Sequence, residues 1–150
     1  MPHAHRRRYV LASLIMLVGA AASHEARAQP ANDQCASARV IASGQSINAS
    51  NESATVEIAS SSCSSAADGL DVWFRFTAPS AGDWRFEIPL DFSATLTSPI
   101  LTVYDACGGS ELACAGLSAF IRIDQALTAG QTVWLRVAGD DSTTGTFTPT

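Results

Sequence analysis

Most of the chain consists of short runs in which apolar and polar residues alternate, separated by Ser, Gly, Asn, Asp and Pro. The clearest run is 83–88, where Trp84, Phe86 and Ile88 fall on one side and three charged residues on the other. Successive side chains of a strand point to opposite faces, so this run predicts a half-buried antiparallel strand. After residue 29 nothing has the 3.6-residue period of a long helix, which favours an all-β sandwich or barrel.

Eight further segments have strand-like patterns, and one of them predicts the centre of the sheet. Residues 100–106 are apolar on both faces, which is typical of a strand that is covered on both sides. The Ser-rich run 60–65 and the polar run 140–145 predict loops. The remaining predicted strands are 39–42, 46–50, 54–60, 71–78, 119–124, 132–138 and 145–148.

The first 28 residues have the three regions of a secretory signal peptide. Arg6, Arg7 and Arg8 form a positive start, residues 10–22 are apolar, and residues 26–28 have the small-x-small pattern of a cleavage site. A lasting membrane span needs about 20 apolar residues, so this run is too short. We therefore predict a cleaved signal peptide, 1–28, and one β-sandwich domain, 29–150, that is secreted or periplasmic. The three arginines leave the general and the twin-arginine export routes open.

The composition of residues 29–150 excludes several classes of function. This part has five Arg, no Lys, no His and thirteen Asp or Glu, a formal net charge of −8. Without His or Lys there is no base for a Ser-His-Asp, Cys-His or Ser-Lys arrangement. Two carboxylates can serve a glycosidase, but a sandwich this small rarely has the cleft that such catalysis needs. The sequence predicts no enzyme, and the acidic balance argues against a nucleic-acid partner.

All four cysteines lie in the predicted domain, at Cys35, Cys63, Cys107 and Cys114. An even number of cysteines in an exported chain predicts two disulfides, and three connectivities are open. We favour Cys35–Cys63 with Cys107–Cys114, because each pair joins neighbours along the sequence and the second pair closes a turn-like stretch, 107–114. A zinc site is disfavoured, since there is no CxxC spacing and no histidine to complete a ligand set.

Calcium is the metal that suits an acidic domain, because it binds carboxylate and carbonyl oxygens. No DxDxDG spacing is present, and aspartates are ordinary residues at turns and strand ends. The sequence therefore predicts no cofactor and at most a weak calcium site. The candidate calcium ligands are Asp68, Asp71, Asp105, Asp140 and Asp141.

Two tryptophans and two arginines are the candidate ligand-binding residues. Trp73 shares a strand face with Arg75, and Trp134 shares one with Arg136. If these faces point outward, they form an aromatic platform on which the rings of a polymer can stack. The alternative is that both tryptophans belong to the core and both arginines pair with carboxylates. Trp84, which shares a face with Phe86 and Ile88, is predicted to be a core residue.

Seven motifs occur in order along the chain: ND at 32–33 with Cys35, DVWFRFTAP at 71–79, VYDACGG at 103–109, LAC at 112–114, LTAG at 127–130, LRVAG at 135–139 and TGTF at 144–147. Together they resemble the bacterial pre-peptidase C-terminal domain and related exported modules. The resemblance implies a jelly-roll-like antiparallel β-sandwich without catalysis, often attached to secreted hydrolases or surface proteins. It also supports the two local disulfides. Relatives often carry an acidic run after the second cysteine of the small loop and Asp-Thr before the Val-Tyr strand, where this chain has AGL at 115–117 and SP at 98–99.

These observations predict an exported, non-catalytic accessory module that binds a polysaccharide or another cell-surface polymer. The alternative is a purely structural or secretion-assisting domain that has no ligand of its own. In both cases we expect no nucleic-acid partner and no lasting membrane anchor.

Overall fold

The computed structural model of the chain describes residues 27–64, 67–89, 93–116, 118 and 120–150. These residues form an all-β domain with a single 3-10 turn, Cys35–Ser37, which confirms the predicted fold class. The predicted signal peptide lies outside the described residues except for its last two positions. The strands are β1 Arg39–Val40, β2 Ala49–Ser50, β3 Asp68–Thr77, β4 Gly82–Ile88, β5 Pro99–Tyr104, β6 Glu111–Gly116, β7 Ile121–Leu127, β8 Thr132–Asp140 and β9 Thr146–Phe147.

One predicted strand is wrong, and one observed strand was not predicted. Residues 54–60 are not a strand, and β6 forms where the sequence was interpreted as a turn between Cys107 and Cys114. The predicted runs 39–42 and 46–50 shorten to the two-residue strands β1 and β2. The other predicted strands overlap β3, β4, β5, β7, β8 and β9, although Ala119, the first residue of the predicted seventh strand, lies outside the described residues.

The strands form two layers. One layer is a five-stranded sheet in the order β1-β3-β8-β5-β6, with β1 parallel to β3 and the other pairs antiparallel. The other layer contains the antiparallel pairs β4-β7 and β2-β9. The residues after β9 join these two pairs, because Ile47 donates to the carbonyl of Pro149 at 3.1 Å and Thr150 exchanges two 3.0 Å hydrogen bonds with Glu87.

The main core fills the space between the layers. The rings of Phe76 and Trp84 lie 5.0 Å apart, and Phe86 packs edge-on against Phe76 at 5.2 Å. Trp84 therefore contacts the core, as its strand pattern predicted. Buried core residues of the five-stranded sheet are Val72, Phe74, Phe76, Leu101, Val103, Val133, Leu135 and Val137, and those of the opposite layer include Phe86, Ile88, Ile121, Ile123, Leu127 and Phe147.

The opposite face of the five-stranded sheet, which we call the outer face, carries a second and smaller apolar cluster. Trp73, Tyr104 and Cys35 are its buried members, and Ile58 packs against them. Residues 54–60, which we call the strap, run along the edge of β3, where the carbonyls of Thr55 and Ala59 accept hydrogen bonds from β3. The strap is thus held by contacts with the sheet edge and the outer face, and not as a strand of regular pairing.

The disulfides differ from the predicted pairing. Cys35 is bonded to Cys107, with the Cα atoms 5.6 Å apart, and Cys63 is bonded to Cys114, with the Cα atoms 5.7 Å apart. The predicted pairs Cys35–Cys63 and Cys107–Cys114 are therefore wrong. The reason is that Cys114 belongs to β6, opposite Thr102, while Cys107 lies in the preceding turn. Each bridge instead fastens a segment that covers the outer face to the β5–β6 hairpin.

Candidate functional site

The strand register brings the four predicted platform residues together on the outer face. In the antiparallel pair β3–β8, Trp73 lies opposite Arg136, and two residues farther along β3, Arg75 lies opposite Trp134. Directly opposed residues of such a pair point to the same face and have neighbouring side chains. Tyr104 extends the Arg75–Trp134 row across β5. The predicted grouping of these side chains therefore exists, but its two halves differ in accessibility.

Trp73 and Arg136 are not accessible to a polymer. Trp73 is 1% exposed and Arg136 is 0% exposed. The Trp73 ring packs 5.5 Å from that of Tyr104, beneath Cys35 and Ile58. These two side chains therefore belong to the inside of the domain, which corrects this part of the predicted platform. We call the region of Asp68, Asp71, Trp73 and Arg136 the covered end.

Arg136 is held by two buried carboxylates. Its Nε donates to Asp71 Oδ2 at 2.7 Å, and its terminal nitrogens donate to Asp68 and to the carbonyl of Ile58. Burial by itself would lower the pKa of Arg136, but hydrogen bonds and charge from Asp68 and Asp71 outweigh burial and raise it. The guanidinium therefore stays charged and connects β8, β3 and the strap.

Asp71 also holds the strap directly. One of its carboxylate oxygens accepts hydrogen bonds from the backbone N–H groups of Glu57 and Ile58, each at 3.2 Å. Burial raises the pKa of the Asp71 carboxyl, against the opposing effects of Arg136 and these two N–H groups. The strap is attached to a charged group at the centre of the covered end, so that its position depends on the ion pairs.

A second carboxylate holds the strap from the N-terminal side. Asp33 accepts a hydrogen bond from the Thr55 hydroxyl at 2.8 Å and another from the Thr55 backbone N–H. Burial acts to raise the pKa of Asp33, but the hydrogen bonds from Thr55 and Gln34 prevail and lower it. Glu57 of the strap in turn accepts from the backbone N–H of Cys35 at 2.7 Å. These contacts link the 3-10 turn, the strap and the sheet.

The five candidate calcium ligands do not form one site. Asp68 and Asp71 are engaged by Arg136, and Asp140 lies opposite Asp68 on β8. Asp105 lies in the turn after β5, at the other end of the sheet, where it accepts from Ser110 N at 2.7 Å. Asp141 lies in the turn after β8 with a φ of 48°. Among the described residues no group of three or more His, Cys, Asp or Glu side chains is arranged to hold a metal ion.

The other half of the predicted platform is accessible, and we call it the open end. Arg75 is exposed and Trp134 is half-buried, with part of its side chain packed against the Trp73 cluster. The next row toward the end of the strands is Thr77 opposite Thr132, whose hydroxyl oxygens are 2.8 Å apart. The open end thus presents an aromatic ring, a cation and two hydroxyls on two adjacent strands.

The two threonines were not among the predicted site residues, although their positions in the sequence identify them. Each lies two residues from Arg75 or Trp134, which is the spacing of neighbours on one strand face. The covering residues Asp33, Glu57 and Ile58 have no such signal. They reach the site from loops, and loop positions are not fixed by the alternation of a strand.

A shallow groove in the opposite layer is the second candidate region. Its volume is about 710 Å³, and Glu87, Pro89, Phe120 and Arg122 line it. Phe120 is 73% exposed. Beside it, the outward residues of β4 and β7 form ion pairs, with Arg85 and Arg122 both contacting Asp124. Among the residues that the structure describes, no helix is long and apolar enough to cross a membrane.

Comparisons with known proteins agree with this architecture. The crystal structure of the pre-peptidase C-terminal domain of a collagenase from Bacillus anthracis superposes with a TM-score of 0.51 at 12% identity, covering 83% of this chain and 97% of that chain. The fold is thus similar to that domain, as the sequence motifs predicted. A comparison with curated proteins gives no match. The family model described as galactose binding domain-like, with a name that marks association with the T9SS, matches residues 31–148. The chain therefore belongs to the galactose-binding-domain-like family.

Proposed function

We propose that this chain is an exported, non-catalytic accessory domain that binds a polysaccharide or another cell-surface polymer at the open end. The observation that carries the proposal is the Arg75–Trp134 pair, an accessible cation directly opposite a half-buried aromatic ring. An aromatic face supplies apolar contact for a sugar ring, while neighbouring donors fix its orientation. The family name, which marks association with the T9SS, supports a role outside the cytoplasm.

The shape of the open end favours a polymer over a small enclosed ligand. Small-molecule sites are concave and bury most of their ligand, whereas the open end is a surface on two adjacent strands. A flat surface can bind an extended chain, because each further sugar adds contact along the sheet. Absence of His and Lys from residues 29–150 supports a binding role without chemistry.

Retention on insoluble glycans tests this function. We expect the secreted protein to bind one member of a panel of cellulose, chitin, peptidoglycan and insoluble galactan. The Trp134→Ala substitution should weaken retention about fivefold or more, because a sugar stacked on an aromatic ring contributes on the order of 1 kcal/mol. Phe120→Ala is the matched control, because it removes an exposed ring from the opposite layer.

Two results would count against the polymer hypothesis. Equal retention of the Trp134→Ala and wild-type proteins would exclude the open end as the binding surface. Failure to bind any glycan of the panel would favour the alternative, a structural or secretion-assisting domain. The same preparation tests export, because we expect the secreted protein to begin at Gln29.

A further inference from the structure

Arg75 differs from most arginines of this acidic domain, because no carboxylate among the described residues pairs with it. Of the five arginines after residue 28, Arg85, Arg122 and Arg136 form ion pairs with aspartates. Arg39, on the edge strand β1, forms none with the described residues and has no tryptophan opposite it. Within the described part of the chain, Arg75 makes neither an ion pair nor a side-chain hydrogen bond, although residues 29–150 contain thirteen carboxylates. Its guanidinium is therefore free to bind a group from outside.

The chemistry of the guanidinium restricts what that group can be. Arginine presents planar, forked N–H donors that match the two oxygens of a carboxylate, and hydrogen bonds between charged groups are stronger than neutral ones. Trp134, directly opposite on β8, supplies a ring beside this fork. A sugar that carries a carboxylate on its ring can contact both side chains at once, with its apolar face on Trp134 and its carboxylate toward Arg75.

We propose that the open end selects acidic polysaccharides whose sugars carry carboxylates, with Arg75 as the residue that determines this preference. This inference rests on the proposed function and adds the class of polymer. The net charge of −8 over residues 29–150 opposes a polyanion at long range. Selection therefore comes from direct contact at Arg75 and not from attraction to the whole domain. At physiological ionic strength the Debye length is about 8 Å, so the long-range repulsion is largely screened while the contact persists.

A matched pair of polymers with one backbone tests the inference. Polygalacturonate and the galactan obtained by reducing its carboxyl groups are immobilised, and retention is measured at 0.15 M salt, the condition at which the Debye length is about 8 Å. We expect the wild-type protein to bind polygalacturonate about fivefold more tightly, the size of effect typical of an accessible charge pair. Arg75→Gln should remove this preference, and Arg75→Lys should keep only part of it, because lysine lacks the fork.

The outcomes separate this inference from the proposed function. Equal binding of both polymers by the wild-type protein, or a preference that survives in Arg75→Gln, overturns the role of Arg75. If Trp134→Ala still weakens binding in that case, the glycan-binding function stands. An equal gain on a sulfated galactan overturns the assignment to carboxylates and indicates general anion binding. If neither galactan-type polymer binds, the inference fails, and the wider glycan panel decides the proposed function.

Discussion

The covered end and the open end lie on the same face of the same two strands, yet they differ in their accessibility to solvent. In both, a tryptophan on one strand lies opposite an arginine on the other: Trp73 with Arg136, and Trp134 with Arg75. At the covered end, the 3-10 turn and the strap bury the pair and two aspartates neutralise the arginine. At the open end nothing described covers Arg75. The same pair of residue types on the same face is thus buried at one end and accessible at the other, because the 3-10 turn and the strap cover only one end.

The largest expected effect of breaking this comparison is at the buried arginine. Arg136→Met leaves Asp68 and Asp71 as uncompensated buried charges, and breaking a buried pair in this way costs about 3–5 kcal/mol. We expect the free energy of unfolding, measured in urea, to fall by this amount. The matched change at the open end, Arg75→Met, should alter stability by less than about 0.5 kcal/mol, as is usual for surface sites. Similar losses in both variants would contradict the distinction between the two ends.

The next largest effect concerns the bridges that hold the covering segments. Loss of the Cys35–Cys107 bridge, which closes 72 residues, should cost about 4 kcal/mol on the chain-entropy model. The double substitution Cys35→Ala with Cys107→Ala tests this by urea unfolding. Peptide mapping of the non-reduced protein should give linked peptides of Cys35 with Cys107 and of Cys63 with Cys114. A peptide that links Cys107 to Cys114 would instead support the local pairing.

The expected losses of stability differ less between the two tryptophans than between the two arginines. Trp73→Ala removes a fully buried ring and should cost about 3–5 kcal/mol, whereas Trp134→Ala removes a half-buried ring and should cost about 1–2 kcal/mol. Only the second variant should lose glycan retention while it remains folded. Thermal melting and retention are measured on the same preparations. A Trp134→Ala protein that fails to fold would show that Trp134 supports the core in the same way as Trp73.

Strand alternation predicted which side chains share a face, but not which part of that face is covered. β4 and the paired strands β3 and β8 follow from local pattern, since the period of two is a property of the strand itself. The strap is held on the outer face by hydrogen bonds with Asp33, Asp71 and Arg136, residues that are far apart in the sequence. The predicted disulfide pairing was wrong for the same reason. The path of the chain, and not the short spacing between cysteines, decides which cysteines meet. Strand β6 was then missed, since its residues were assigned to a turn closed by the wrong bridge.

The strap should also make the stability of the domain depend on pH. The pKa of Asp33 is lower in the folded protein than its value of about 3.9 in an unfolded chain. Its contribution to stability is therefore complete above the unfolded pKa and is lost as the pH falls through the folded pKa. We expect Asp33→Asn to lose less stability than the wild type between pH 6 and pH 3, the range that spans the unfolded value of about 3.9. Asp141→Asn serves as a surface control, and an Asp33→Asn protein with the wild-type acid response would exclude a role for this contact.

The smallest expected effect is that of calcium. At the covered end a positive charge already lies between the two buried carboxylates, since Arg136 donates to both Asp68 and Asp71. Calcium would have to displace this guanidinium, which makes its binding weak. A ligand stabilises a fold by RT ln(1 + [L]/Kd), so that weak binding gives little stabilisation. We therefore expect millimolar calcium to raise the melting temperature by no more than about 1–2 °C, the shift that corresponds to a few tenths of a kcal/mol in a domain of this size. A larger rise that a chelator reverses would show that the candidate aspartates bind calcium, and that Arg136 does not by itself neutralise the buried carboxylates of the covered end.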